Sequence, residues 1–416
     1  MRKTTFTIVL LFCFILTSTL VGFGMETSQW KEDINYLQNN LAEKHKNIYF
    51  NLSKEEYNQL FNNLLSEINQ MNDREIIFNL THIFSEIEDP HTGISIRPFV
   101  KECYPIFFKK FGKEYHVVAT HKEYEDYIGA KLVSINGNSL EKIITGLDKV
   151  IVNDNKAGLL YQAQNFLNMP ALLKYCDIIE NNIEYTLKKD GEIIKLKPKK
   201  VNYNEFVKEG KIAQLKYNKS IANKNSNKFF WYDYLKDDNL LYFQYNVCWS
   251  RELEKRHRGN DNPDYPYFEK TAEKLITLLK NNKIDKFVID LRHNSGGSSS
   301  QGTTFAKKLG KLDIDTQTYV IIGNRTFSSA IINAVHFKQY DDAILVGEPT
   351  KGKPNHYGEV KSFKLPNSEL NVSYSTKYFE FMEDDPASLY PDILVRPSYE
   401  NYVDGEDNIL EKIMEL

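Results

Sequence analysis

Four short segments of this chain hold residue types that can do chemistry together, and each also has a plain structural reading. Thr326-Phe327-Ser328-Ser329 follows an apolar stretch ending at Ile322 and opens a helical pattern. A serine at a helix start usually caps it, its hydroxyl accepting from the first free N–H groups. Those same N–H groups and the positive helix end favour a developing oxyanion, so Ser328 is also a candidate nucleophile. Val288-Ile289-Asp290-Leu291-Arg292 runs on into Asn294-Ser295-Gly296-Gly297. A glycine pair after a buried strand exposes backbone N–H groups to an anion, although such a pair is more often only a turn.

The other two segments hold a base. Asp89-Pro90-His91-Thr92-Gly93 places an imidazole where a helical region ends, and imidazole exchanges protons near neutral pH. Gly347-Glu348-Pro349-Thr350-Lys351-Gly352-Lys353 places Lys353 beyond another apolar strand. An ammonium in a confined site can lose its proton and act likewise. A turn histidine and a solvated lysine are the corresponding plain readings.

The elements that must position these residues differ along the chain. From Trp30 to Glu88 the apolar spacing is helical, with Ile34, Leu37 and Leu41 on one face and Ile76, Ile77, Leu80 and Ile83 on another; Ser53 before Glu55 and Glu56 marks a helix start, and Asp89-Pro90 ends the region. Strand periods follow at 104–111, 115–120 and 130–135, with the Asn136-Gly137 turn, then a helical passage at 157–173, and a hairpin about Asp190-Gly191. After a polar passage at 203–227, strands at 240–244, 287–290, 318–322 and 343–346 alternate with helices at 268–279, 304–309 and 328–337. Crossovers of that length predict a mostly parallel sheet covered on both faces.

Composition narrows the function classes. At 416 residues, two or three domains are expected, and a net charge of −3 gives no field to draw in nucleic acid. Arg2 and Lys3 precede an apolar run from Phe6 to Leu16, followed by small residues to Gly24: a cleaved secretory leader, with an uncleaved membrane anchor as the alternative. Apart from Cys13 in that run, Cys103, Cys176 and Cys248 are too few and too scattered for a disulfide framework or a zinc site. No phosphate-loop or dinucleotide fingerprint appears.

In order along the chain, Asp290-Leu291-Arg292-x-Asn294-x-Gly296-Gly297, Thr326-x-Ser328, Gly347-Glu348-Pro349-Thr350, Leu365-Pro366-Asn367-Ser368 and Pro391-Asp392-Ile393 resemble the carboxy-terminal processing, or tail-specific, serine peptidases and the related tricorn core peptidases. Similarity extends more weakly forward to Trp30, and Gly129-Ala130-Lys131-Leu132-Val133-Ser134-Ile135-Asn136-Gly137 resembles the strand and turn of a PDZ-like module. The resemblance implies an α/β fold: a crotonase/ClpP-like catalytic core at 228–416, a helical bundle at 25–98, a small PDZ-like β-rich domain at 99–202, a linker at 203–227 and a leader at 1–24. It further implies an exported, secreted or cell-surface serine endopeptidase acting on peptides without metal or cofactor.

By that resemblance Ser328 is the nucleophile, and Gly296, Gly297 and Ser329 supply the oxyanion hole. Both base candidates persist: Lys353 lies 25 positions after Ser328, the interval of the lysine branch, and His91 stands where the tricorn-like branch carries its histidine. Pro354-Asn355-His356-Tyr357 departs from the lysine-type motif, which favours His91. Ile331 stands where the lysine branch usually has Glu, and Glu383, Asp384 and Asp385 are carboxylates that can orient a base. The competing readings are an inactive surface protein that captures peptide tails and an esterase or amidase using the same serine.

Overall fold

The protein is described here by a computed structural model covering residues 24–416, so the apolar leader lies outside the described residues. Three helices come first, Thr27–Lys44, Lys54–Glu67 and Asp73–Ile87. Ser53 caps the second through a reciprocal bond pair with Glu56, and Asn72 caps the third in the same way. Their apolar faces, with Trp30, Phe61, Leu80 and Phe84 fully buried, join one core with the antiparallel sheet that follows.

That sheet runs Ile212–Gln214, Glu114–His121, Lys131–Ile135, Tyr185–Lys189, Glu192–Leu196, and Ile106–Phe111 also pairs with Glu114–His121. The Asn136-Gly137 and Asp190-Gly191 turns fall where expected, each residue having positive φ. The helical passage at 157–173 is instead two short helices, Lys156–Ala163 and Pro170–Tyr175. Pro170 begins the second because proline fits a first helical turn better than a helix interior. The polar passage expected as a linker contributes the helix Tyr203–Glu209 and the strand Ile212–Gln214.

The second sheet has six strands in the order Phe230–Leu235, Leu240–Tyr245, Lys286–Asp290, Gln317–Ile322, Ile344–Gly347, Ile393–Leu394, parallel except for the first pair. Strand alternation splits its side chains between two cores. Leu241, Phe243, Ile289 and Val320 pack under the helices Phe268–Asn281, Ser300–Leu309 and Ser329–Asp341. Leu240, Tyr242, Val288 and Ile321 meet Ile409, Leu410 and Ile413 of the last helix on the other face. Each fully buried aliphatic or aromatic side chain contributes about 1.5–3 kcal/mol.

A long hairpin, His356–Lys364 with Asn371–Phe379, links the two halves. Its turn, Pro366-Asn367-Ser368, points two backbone N–H groups at the buried carboxylate of Asp33 in the first helix, at 2.8 and 2.9 Å. Its second strand pairs with Gly93–Ile94, immediately after the segment that carries His91. Cys103, Cys176 and Cys248 are all buried and free.

Candidate active site

Every chemical segment sits at, or is drawn to, the carboxyl edge of the parallel sheet, where ligands collect in such folds. Strand Gln317–Ile322 turns sharply through Gly323, and Thr326 locks the turn, its hydroxyl donating to Leu291 O at 2.9 Å and accepting from Gly323 N–H at 3.0 Å. Ser328 follows with φ 54° and ψ −127°, and its side chain makes no cap hydrogen bond to the helix behind it. For a residue bearing a Cβ this conformation costs about 1–3 kcal/mol, a cost sustained by the packing around it. The hydroxyl is turned instead to His91, whose Nε2 lies 3.0 Å away across a separation of 237 residues.

His91 arrives from the other half of the chain. Helix Asp73–Ile87 ends at Glu88 in the left-handed region, and Thr92 N–H then closes a turn on Asp89 O at 2.9 Å. The carboxylate of Asp89 organises this turn. One oxygen accepts the His91 N–H at 3.0 Å, and the other accepts from the Thr92 hydroxyl at 2.5 Å and His45 Nε2 at 3.0 Å. His45 Nδ1 accepts from the Asn47 amide at 3.1 Å, which leaves Nε2 to carry the donated proton. Burial pushes the Asp89 carboxyl up, but the bonds from His45 and His91 and the attraction of His91 outweigh it and hold it below the usual carboxylate range.

The His91 ring stands near-parallel to Phe327 at 4.6 Å and to His356 at 5.5 Å between centroids. Among the described residues its buried Nδ1 has no hydrogen-bond partner and lies 3.7 Å from Asp89 Oδ1. His356 turns Nδ1 to the carbonyls of Lys353 and Pro354, both at 3.1 Å, and burial followed by the field of His91 lowers it to about 4.

The glycine loop closes the other side. Gly296 and Gly297 have φ of 107° and 135°, and a Cβ on either would meet Ser328 Cβ at 3.0 Å or Cys248 O at 2.4 Å. Asn294 staples the loop, donating to Tyr245 O at 2.8 Å and accepting the Gly296 N–H at 2.9 Å. The Gly296 amide is thus already engaged. Among the described residues the amides of Gly297 and Ser329 have no hydrogen-bond acceptor, and the Ser329 hydroxyl donates to Gly297 O at 2.8 Å.

Lys353 is not brought to Ser328. Its ammonium pairs with Asp385 at 2.7 Å, 29% exposed, while its backbone N–H reaches Asp154 Oδ2 at 3.2 Å. Asp385 is thereby spent on the lysine, and neither Glu383 nor Asp384 hydrogen-bonds His91. Asp154 itself was not singled out by any motif. Burial raises its carboxyl to about 6, partly offset by the Lys353 amide and His91, and among the described residues its second oxygen has no partner. A hydroxyl on an imidazole, beside two free amides at a helix start, is an arrangement able to transfer acyl groups.

No protein-family model matches the chain, and no curated protein matches it in sequence. Solved structures do match. Mature CPAF complexed with lactacystin superposes with a TM-score of 0.64 at 11% identity, over 94% of this chain and 98% of that one. Mature CPAF alone gives 0.63 at 14% identity, over 94% and 97%. The photosystem II D1 C-terminal processing protease overlaps far more loosely, with a TM-score of 0.42 at 14% identity over 94% and 97%. At these identities the likeness is one of fold alone: the chain shares the mixed α/β fold, with several sheets, of mature CPAF.

Proposed function

We propose that the protein is an exported serine endopeptidase in which Ser328 is the nucleophile and His91 the general base. The carrying observation is the 3.0 Å contact between Ser328 Oγ and His91 Nε2. In this reading Nε2 takes the hydroxyl proton as Oγ bonds to the peptide carbonyl carbon, and the Gly297 and Ser329 amides receive the oxyanion. The carbon–nitrogen bond breaks as His91 returns the proton to the leaving amine. Water, deprotonated by His91, then releases the acyl group and restores the serine.

Asp89 holds the histidine from behind, accepting its backbone N–H at 3.0 Å. Lys353, tied to Asp385, props the loop beneath Asp154 rather than serving as base. The antiparallel sheet and its Asn136-Gly137 turn support a PDZ-like reading of residues 99–202, and the three leading helices support a bundle at 25–98. Export rests on the basic and apolar pattern of the first residues.

Casein hydrolysis by the chain lacking residues 1–24 tests the proposal. Activity is expected, with a loss of about 10⁴-fold or more in Ser328→Ala; a folded protein without activity, or one unaffected by Ser328→Ala, overturns it. That outcome would leave the inactive peptide-binding reading, which the unpartnered Nδ1 of His91 favours.

A further inference from the structure

One charged residue of the 290–297 segment has no part in the chemistry described above. Among the described residues Arg292 bonds to neither Ser328 nor His91, yet only 14% of its side chain is exposed. Its Nε holds Asp290 at 2.9 Å, and its backbone N–H donates to the same carboxylate at 2.9 Å. Nη1 reaches instead to Asp407, 115 residues further along the chain, at 2.8 Å. Both carboxylates are buried, so each ion of the trio depends on the others for its solvation. Arg292 Nη2 and Asp407 Oδ2 have no partner among the described residues, so no second bond takes over when the one between Nη1 and Oδ1 is lost.

Asp407 is fixed from its own side. It caps the last helix, Asn408–Glu415, its Oδ1 accepting the Leu410 N–H at 3.2 Å, and Ile409, Leu410 and Ile413 seat that helix on the sheet. Gly405 enters this segment with φ 83°, so close to Asn218 that a Cβ would stand 2.5 Å from Asn218 Cβ. The carboxylate is therefore a rigid anchor for the guanidinium.

Arg292 in turn stands at the junction of the two loops that form the site. Leu291 O, one residue before it, accepts the Thr326 hydroxyl at 2.9 Å and the Asn294 N–H at 3.0 Å. Asn294 then accepts the Phe327 N–H on its carbonyl at 3.1 Å and the Gly296 N–H on its side chain at 2.9 Å. Gly323, which opens the nucleophile turn, packs on Arg292, a Cβ there lying 3.6 Å from Arg292 Cβ. A shift of residues 291–294 would displace the Gly297 amide and Ser328 together, and a misplacement of about 1 Å can cost a reaction about 10²-fold.

We propose that Asp407 is a positioning residue: through Arg292 it holds the glycine loop and the nucleophile turn in place for acyl transfer. Acyl transfer rests on the peptidase reading; the brace itself does not. Asp407→Asn and Asp407→Ser separate bracing from capping, since Asp, Asn and Ser cap helices about equally well. Asn loses the charge, and Ser loses the reach to Arg292 as well. Were capping the only role, both variants would match the parent. The expected order of kcat on casein-derived peptides is parent, Asn, Ser, with Ser lower by about 10–10²-fold and KM within about threefold.

Hydrogen exchange read by mass spectrometry should quicken about tenfold in residues 290–297 and 323–329 of Asp407→Ser. Arg292→Lys, a point charge that cannot fork between two carboxylates, should behave in the same way, and combining the two changes should add little. It also serves if Asp407→Ser fails to fold. Unchanged kcat in a folded variant, or exchange that quickens only at 405–416 or evenly through the parallel sheet, overturns the proposal. An inert parent overturns the peptidase reading instead, and exchange in the two loops then decides the brace by itself.

Discussion

Two loops approach the carboxyl edge of the parallel sheet with a basic side chain, and they end in different surroundings. The 89–93 turn leaves a capped helix, is closed on itself by Asp89, and is pinned by strand Asn371–Phe379 through Ser375 N–H to the Thr92 hydroxyl at 3.2 Å and Ser373 to Gly93 O at 3.1 Å. Its imidazole is 9% exposed and faces Ser328. The 347–353 loop ends in an ammonium that finds Asp385 near solvent. A pinned side chain can hold the near-contact geometry that proton transfer needs, whereas a long flexible side chain with an alternative partner spends its charge there.

The most severe challenge to this contrast is His91→Ala. A loss in kcat/KM of about 10²–10⁴-fold on casein-derived peptides is expected, and near-full activity would remove the 89–93 turn from the chemistry.

A smaller effect concerns Asp154, which joins the two loops. Its carboxyl is raised from 3.8 to about 6 by burial, so the folded state binds its proton more tightly than the unfolded chain does. The stability this contributes is fully present below the unfolded value and is lost as pH rises through about 6. Asp154→Asn cannot ionise, so it should be more stable than the parent above that pH, on the order of 2 kcal/mol, with the gap closing in acid. Urea unfolding of both proteins across the pH range measures this; a gap that is constant with pH, or reversed, would show that Asp154 is not held in a charge-averse site.

Lys353→Met should do least. Activity within about threefold of the parent is expected, because only an exposed pair worth about 0–1 kcal/mol is lost. A loss comparable to that of His91→Ala would transfer the role of base to the lysine.

The periodicities were legible at the level of elements. Ser53 and Glu56 announced their helix, Asp89-Pro90 its neighbour's end, and the apolar runs at 287–290 and 318–322 their buried strands. The 157–173 passage misled because its apolar residues fit one helical stripe, while Pro170 starts a new helix. The 203–227 passage misled because its edge strand is only the three residues Ile212–Gln214, set among polar neighbours, and takes its conformation from pairing with Glu114–His121. His45 and Asp154 gave no signal at all, since a lone histidine or aspartate acquires meaning only from what is folded against it.

The sequence by itself determined the residue types, the capped helix starts at Ser53 and Asn72, the strand alternation of the parallel sheet and the glycine turns, because these follow from local sterics and from the burial period of each element. It offered Ser328 with both His91 and Lys353. Tertiary structure alone decided which of them meets the serine: the contact spans 237 residues and depends on a hairpin from the far end of the chain pinning the 89–93 turn, a long-range constraint that no local pattern encodes.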